Sequence, residues 1–535
     1  MYMYREMSVE KALLNIFTVF FVLSSAIKVT TGLKNVLFLA VDDLRPELGT
    51  YGMDFIKSPN IDKLASESLV FDRAYCQVAL CSPSRASLLT GRRPDTNHVW
   101  KIAIDEYWRM FTNATTIPQY FKENGYMSAG IGKIFHAGAP SGYDDIKYSW
   151  SVPYFHAPKD SANDMSWHSF NTNTTNLQDG KIADYAVNTL REINQNRTKG
   201  DTRPFFIAVG FHKPHLPFYC AKKFYDMYPQ ATQIALPKNP GVPKNFPPIA
   251  RGLGSIYKYR DTKMFYPNIT KCQTDVQASF YGEGCTISDD YTRVLRRGYY
   301  ACVSQTDDQI GKVISEMTSL GFADDTIIVF WGDHGWQLGE HNHWCKQTNF
   351  EDATRVPFML RVPGVTDKGM RTSALVELID IFPTITELAG IKVPPMCPVG
   401  DKQPLACVEG TSLTPLLQNP NMQFKKAAFS QYPRPAEGMT VIPNKHPFND
   451  SEHDENVMGY SIRVDQYRFT EWYRFNHTTA TPNFTDIWAT ELYNHTEATV
   501  FFNDENINVA REPDIQGLVE TLRKTLQAGW RAAMP

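Results

Sequence analysis

The sequence predicts an α/β protein with a mostly parallel central sheet, followed by a smaller C-terminal α+β domain. Three observations predict it. Four apolar runs, Asn35–Val41, Met127–Ile131, Pro204–Gly210 and Thr326–Trp331, read as strands buried on both faces. Helical patterns such as Lys181–Asn194 and Arg297–Leu320 lie between them, as in parallel-sheet folds. Each run leads into polar chemistry: Asp42-Asp43, Lys133 with His136, Lys213 with His215, and Asp333-His334. Ligands of open α/β sheets bind beyond the carboxyl ends of the strands, so these ends are expected to converge on one crevice.

The elements follow in order. Arg5 and Lys11 precede an apolar stretch from Ala12 to Ile27, and Ser24-Ser25-Ala26 offers small residues for cleavage. Residues 1–26 therefore read as a secretory signal peptide. The stretch is too short and interrupted to predict a stable membrane span, and no later segment is long and apolar enough. The larger domain is expected over residues 33–420. Its closing helix is placed at Val376–Leu388, before Gly390 and a Pro- and Cys-bearing loop. The texture changes near Ala427, and 427–535 reads as the C-terminal domain. Short β segments are expected there at Tyr460–Arg463, Arg468–Tyr473 and Glu491–Tyr493, with a final helix over Ile515–Ala532. The polar segment Glu437–Val457 reads as an exposed loop.

Composition excludes some classes. The net charge of −3 over 535 residues gives no polycationic character, so no nucleic-acid partner is implied. Eight sequons, at Asn113, Asn173, Asn196, Asn268, Asn449, Asn476, Asn483 and Asn494, agree with a secreted glycoprotein. Of nine cysteines, Cys397 and Cys407 flank a short polar loop and are the expected disulfide; Cys272 and Cys285 could close another loop. Cys302 lies in a helical pattern and reads as a core thiol, while Cys76, Cys220 and Cys345 cannot be paired from sequence.

The most informative string is Cys81-Ser82-Pro83-Ser84-Arg85-Ala86-Ser87-Leu88-Leu89-Thr90-Gly91-Arg92. Pro83 suits a first helical turn and Gly91 a helix end. Cys81 then sits at a helix N-terminus, a favourable place for an anion, with Arg85 one turn on. A lone cysteine of this kind in a secreted chain is usually structural. The flanking string changes that reading, because it resembles the sulfatase signature.

The resemblance implies an alkaline-phosphatase-like sandwich. It also implies oxidation of Cys81 to Cα-formylglycine by a formylglycine-generating enzyme. Val41-Asp42-Asp43-Leu44-Arg45 and Gly332-Asp333-His334-Gly335 resemble the two metal stretches of the family. They imply one calcium ion held by Asp42, Asp43, Asp333 and modified Cys81, with His334 a further ligand. Gly132-Lys133-Ile134-Phe135-His136 resembles the sulfate-binding stretch, with Lys133 on the sulfate and His136 orienting the nucleophile or assisting its later collapse. His215 resembles the family histidine near the leaving oxygen, and Lys346 the lysine that binds sulfate and protonates that oxygen. Any of these alone is commonly a surface residue; together they carry the inference.

His334, the longer Lys133–His136 spacing, Leu338-Gly339-Glu340-His341 and Ser430-Gln431-Tyr432-Pro433-Arg434-Pro435 are similar to one branch of the family. That branch removes the 2-sulfate of terminal iduronate in heparan and dermatan sulfate. The expectation is a lysosomal or secreted sulfuric ester hydrolase acting on sulfated glycosaminoglycan. The rival readings are a sulfatase of other specificity, a phosphodiesterase on the same fold, and a catalytically silent glycan-binding protein.

Overall fold

The seven strands of the main sheet are β1 (Asn35–Val41), β2 (Leu69–Tyr75), β3 (Met127–Gly132), β4 (Phe205–Phe211), β5 (Thr326–Gly332), β6 (Arg355–Arg361) and β7 (Met370–Glu377). Their order is β7-β2-β6-β5-β1-β4-β3. All run parallel except β6, which is antiparallel to β2 and β5. In this computed structural model the described residues are 32–535, except 104, 253–254, 265–286, 401–404, 435–455 and 497–503. The signal segment, the Cys272–Cys285 loop and nearly all of the Glu437–Val457 loop lie outside them.

β1 shows why the sheet is buried on both faces. Leu37, Leu39 and Val41 enter one core, and Val36, Phe38 and Ala40 the other. This is the period of two that strand geometry imposes. Helix α1 (Cys81–Thr90) covers the second face. Helices α2 (Gln178–Thr198) and α3 (Asp289–Ser319) cover the first. The four strands expected from apolar runs are present within one residue at each end.

Several elements differ from those expected from the sequence. The expected helix Val376–Leu388 begins as the end of β7. The chain turns at Glu377, whose side chain forms a capping box with Asp380, and α4 runs only Ile381–Leu388. A continuous apolar run concealed that switch, since periodicity alone does not separate a buried strand from a buried helix. Strand β6 was not expected, because Pro357 interrupts its pattern; a bulge between Val356 and Phe358 accommodates the proline. Strand β2 carries half-buried Asp72 and Arg73, which hid its strand character.

The C-terminal sheet is fully antiparallel: β8 (Ala428–Arg434), β9 (Val457–Arg463), β10 (Tyr467–Asn476) and β11 (Thr481–Asn494) pair in sequence order. Its strands are longer than expected; in β11 the added residues are largely exposed and many are polar, which hid their strand character. Helix α5 (Gln516–Ala528) packs Val519, Leu522 and Leu526 against Ile462, Phe469 and Leu492. It stops at Gly529 rather than continuing to Ala532, and a short 3-10 turn follows. Residues Lys34–Pro535 form one compact unit. Cys397 and Cys407 are joined as expected, and Cys302 is a buried free thiol.

Ion pairs help fix the C-terminal sheet. Glu505 binds Arg468, accepts the Glu351 N–H at 2.8 Å and lies 3.1 Å from His495 Nε2, while His495 Nδ1 pairs with Asp504. Burial lowers the pKa of His495, but the bonds to Asp504 and Glu505 outweigh it and push it up to about 9. The unfolded value is about 6.5. The folded value is the higher one, so this stabilisation is complete below about pH 6.5 and fades as pH rises towards the folded value. We expect His495→Gln to lower unfolding free energy by about 2 kcal/mol at pH 5 and by much less at pH 9.5. Urea unfolding at the two pH values checks this; an equal loss at both would contradict a charge origin.

Candidate active site and metal centre

The carboxyl ends of β1, β3, β4 and β5 meet the N-terminus of α1, and every predicted site residue lies there. Cys81 is the first residue of α1, and Gly91 ends that helix with φ 65°. All ten residues of α1 are buried, so the motif is spent on packing as well as chemistry.

Arg85 ties the strand ends together. Its Nε donates to Asp333 Oδ2 at 2.8 Å and its Nη2 to Asp42 Oδ1 at 3.1 Å. Its Nη1 donates to the carbonyls of Lys133 and Ile134. Lys133 Nζ donates to Asp42 Oδ2 at 2.5 Å. Lys346 Nζ bonds Asp43 Oδ1 and lies 3.3 Å from Cys81 Sγ. On the other side of the sulfur, His334 Nε2 is 3.4 Å away. His334 Nδ1 donates to the Gly335 carbonyl at 2.8 Å, so Nε2 is the nitrogen turned to the centre. Burial lowers the ring's pKa, but Asp333 and Cys81 outweigh it and push it up to about 9, so Nε2 offers a lone pair only when a cation displaces its proton.

Position sets the charge of each group. Burial raises the pKa of Asp42, but Lys133, His215, Arg85 and Lys346 outweigh it and hold the carboxyl well below the usual range. Burial likewise opposes ionisation of Cys81, as does Asp42, yet Lys133 and Lys346 bring the thiol below its ordinary value. His136 is driven down to about 3 by burial and by the Lys133 ammonium. His215, with its side chain 32% exposed at the mouth, is also held well below its ordinary value, by partial burial and by Lys346. Its Nδ1 donates to the Leu216 carbonyl at 2.5 Å, so neutral His215 offers Nε2 as an acceptor, 3.8 Å from Asp43 Oδ2.

The donor set fits a hard cation once Cys81 is oxidised, when the sulfur is replaced by oxygen beside the carboxylates of Asp42 and Asp43. Asp42, Asp43, Cys81 and His334 each present one donor atom, all within 4.8 Å of one another. Asp43 Oδ2 is buried without a hydrogen-bond partner. Burial pushes the Asp43 carboxyl up to about 8, and Asp42 and Cys81 add repulsion that Lys346 does not cancel. Lys346 alone therefore supplies too little positive charge for Asp43 to ionise beside Asp42. A calcium ion, which favours carboxylate oxygens, supplies the rest. Asp333 borders the same point, with Oδ2 3.6 Å from His334 Nε2. Its two oxygens already serve Arg85 and the N–H groups of Asp43 and His334.

Two supports were missed in the sequence. Asp43 has φ 59°, a left-handed conformation that costs a non-glycine residue energy. Tyr299 of α3 holds it: the hydroxyl donates to the Asp43 carbonyl at 2.9 Å and accepts the Arg45 N–H at 3.1 Å. No local pattern marks Tyr299, which lies inside an ordinary helical repeat. The second support is a glycine pair. A Cβ on Gly210 would stand 2.0 Å from the Lys133 carbonyl, and one on Gly132 (φ +77°) 2.1 Å from the Gly210 carbonyl. Only glycines let β3 and β4 close enough to aim that carbonyl at Arg85.

We expect elemental analysis of purified protein to find about one calcium per chain, and Asp43→Asn and Asp333→Ala to lose it. Stoichiometric zinc without calcium would contradict the assignment of the donor set.

Known proteins share this sequence and architecture. The sulfatase family profile matches residues 34–391, and the profile of the N-sulphoglucosamine sulphohydrolase C-terminal region matches 339–528. Iduronate 2-sulfatase of Mus musculus is 39% identical over 92% of this chain and 94% of its own. That of Homo sapiens is 39% identical over 87% and 89%. A phosphonate monoester hydrolase from Silicibacter pomeroyi has the same fold, with TM-score 0.66 and 21% identity over 94% of this chain and 96% of that one. A profile covering more than half of the chain, and relatives 39% identical along nearly all of it, carry the conclusion that this chain belongs to the sulfatase family.

Proposed function

We propose that the protein hydrolyses the 2-sulfate ester of terminal iduronate in heparan sulfate and dermatan sulfate. The observation that carries this reading is Lys346 and His334 against Cys81 Sγ, with Lys133 and Arg85 on the adjoining carboxylates of Asp42 and Asp333, in a chain 39% identical to iduronate 2-sulfatases. Sulfatases use calcium and formylglycine. Once both are in place, oxidised Cys81 supplies a hydrated aldehyde oxygen as nucleophile and calcium supplies positive charge beside it.

The remaining groups divide the work. Lys133 and Lys346 flank the point where a sulfate oxygen would lie, so their charge is preorganised where negative charge develops. Arg85 keeps Asp42 and Asp333 in place. Burial lowers the pKa of Lys346, but Asp43 and Cys81 reverse this and keep it protonated, so it is the proton donor to the departing sugar oxygen. His136 is neutral at any pH well above about 3 and serves as the acceptor when the ester is released from the nucleophile. His215 at the mouth orients the leaving group through Nε2.

The same reading gives the chain a route through the endoplasmic reticulum, maturation by a formylglycine-generating enzyme, and work in the lysosome or outside the cell. In support, each of the six described sequon asparagines, Asn113, Asn173, Asn196, Asn476, Asn483 and Asn494, is exposed. Among the described residues no helix is long and apolar enough to cross a membrane.

The deciding assay offers matured protein a 2-sulfated iduronate disaccharide beside a 6-sulfated glucosamine one and a phosphate diester. We expect release of sulfate from the first at least about a hundredfold faster, a difference of about 2.7 kcal/mol in transition-state binding. Preference for either of the others would replace this substrate assignment.

A further inference from the structure

Asp179 lies in the first turn of α2, buried at 1% exposure. Its carboxylate does not cap its own helix, whose N-cap residue Leu177 makes no side-chain cap bond. Instead Oδ1 accepts the N–H of His212 and Oδ2 the N–H of Lys213, each at 2.8 Å. These two amides directly follow β4 and begin the loop that carries His215.

The loop is held from its other side as well. Lys213 Nζ donates to the carbonyls of His215 at 3.0 Å and Pro217 at 2.7 Å. Thr306 of α3 donates its hydroxyl to the Lys213 carbonyl at 2.9 Å. Lys213 therefore spends its protons inside the loop, although it is a lysine two residues from His215. Burial pushes the Asp179 carboxyl up to about 6, while the two amides, the Lys213 charge and the start of α2 favour the carboxylate and offset part of that cost. One carboxylate binding two consecutive amides fixes the direction in which the chain leaves β4.

We infer that Asp179 is a positioning residue, which sets the loop so that His215 Nε2 faces Asp43 at the mouth of the crevice. The inference rests on the role given to His215 above, and the test separates the two. It is a double-mutant cycle on the 2-sulfated iduronate disaccharide with full-length matured protein: Asp179→Asn, His215→Ala and both together. Asn keeps one acceptor and turns an N–H donor towards the second amide.

We expect Asp179→Asn to lower kcat about tenfold, with KM changed less than about threefold, because a small misplacement of an aligned group costs rate. Calcium content should stay at the wild-type level. Added to His215→Ala, the change should cost no more than about a further twofold, the non-additivity of two residues acting through one group. Full activity in Asp179→Asn, or losses that simply multiply in the double variant, would overturn the inference. Wild-type kcat in His215→Ala would overturn the role of His215 and the inference with it. If urea unfolding shows that the Asn variant is not folded, Asp179→Ser, which removes the charge and one of the two acceptors, replaces it in the same cycle with the same criteria.

Discussion

The structure depends on how charge is balanced in a dry crevice. Asp42, Asp43 and Asp333 are buried at the ends of β1 and β5, and so are Arg85, Lys133 and Lys346. Removing such groups from water costs several kcal/mol per ion, which only good geometry with opposite charges offsets. Arg85 provides most of that geometry, since one guanidinium reaches two carboxylates and two carbonyls. Asp43 is left with an unpartnered oxygen and a raised pKa, so the protein alone leaves room for one more cation.

Much of the fold serves that balance. The parallel strands bring residues 42, 133, 215 and 333 to one edge of the sheet. Gly132 and Gly210 let two strand ends approach until a main-chain carbonyl becomes a ligand of Arg85. Tyr299 bears the left-handed turn at Asp43 from the far side of the core. The resulting positive groups are fixed before any substrate arrives, which is what gives them leverage over a transition state rich in negative charge. The low pKa values of His136 and His215 follow first from burial and then from the same crowding of cations. In the proposed reaction these two neutral rings therefore serve as acceptors, and Lys346 is left as the proton donor.

How much of this could be read in the chain depended on the range of the interaction. The Cys81–Gly91 string and the Asp42-Asp43 and Asp333-His334 pairs are local patterns, and their residues came together as expected. The strands β1, β3, β4 and β5 were legible because continuous apolar runs mark burial on both faces. Strand β6 was hidden by Pro357, and the end of β7 by a run equally suited to a helix. Tyr299 and Gly210 were illegible for another reason. Tyr299 is 256 residues from the Asp43 carbonyl that it bonds, and no spacing in the sequence encodes that meeting. The His215 loop shows both cases: its histidine is singled out by motif, while the groups that hold it come only from three-dimensional contacts.

The central claim is that this balanced cluster exists to activate an oxidised Cys81. The most direct measurement is the mass of the tryptic peptide containing Cys81, compared across preparations of different specific activity. Replacing the thiol and a hydrogen by a carbonyl oxygen lowers the mass by about 18 Da. The account predicts that sulfate release rises in proportion to the fraction carrying that loss, and is absent where the fraction is zero. Full activity in protein whose Cys81 remains a thiol would contradict it.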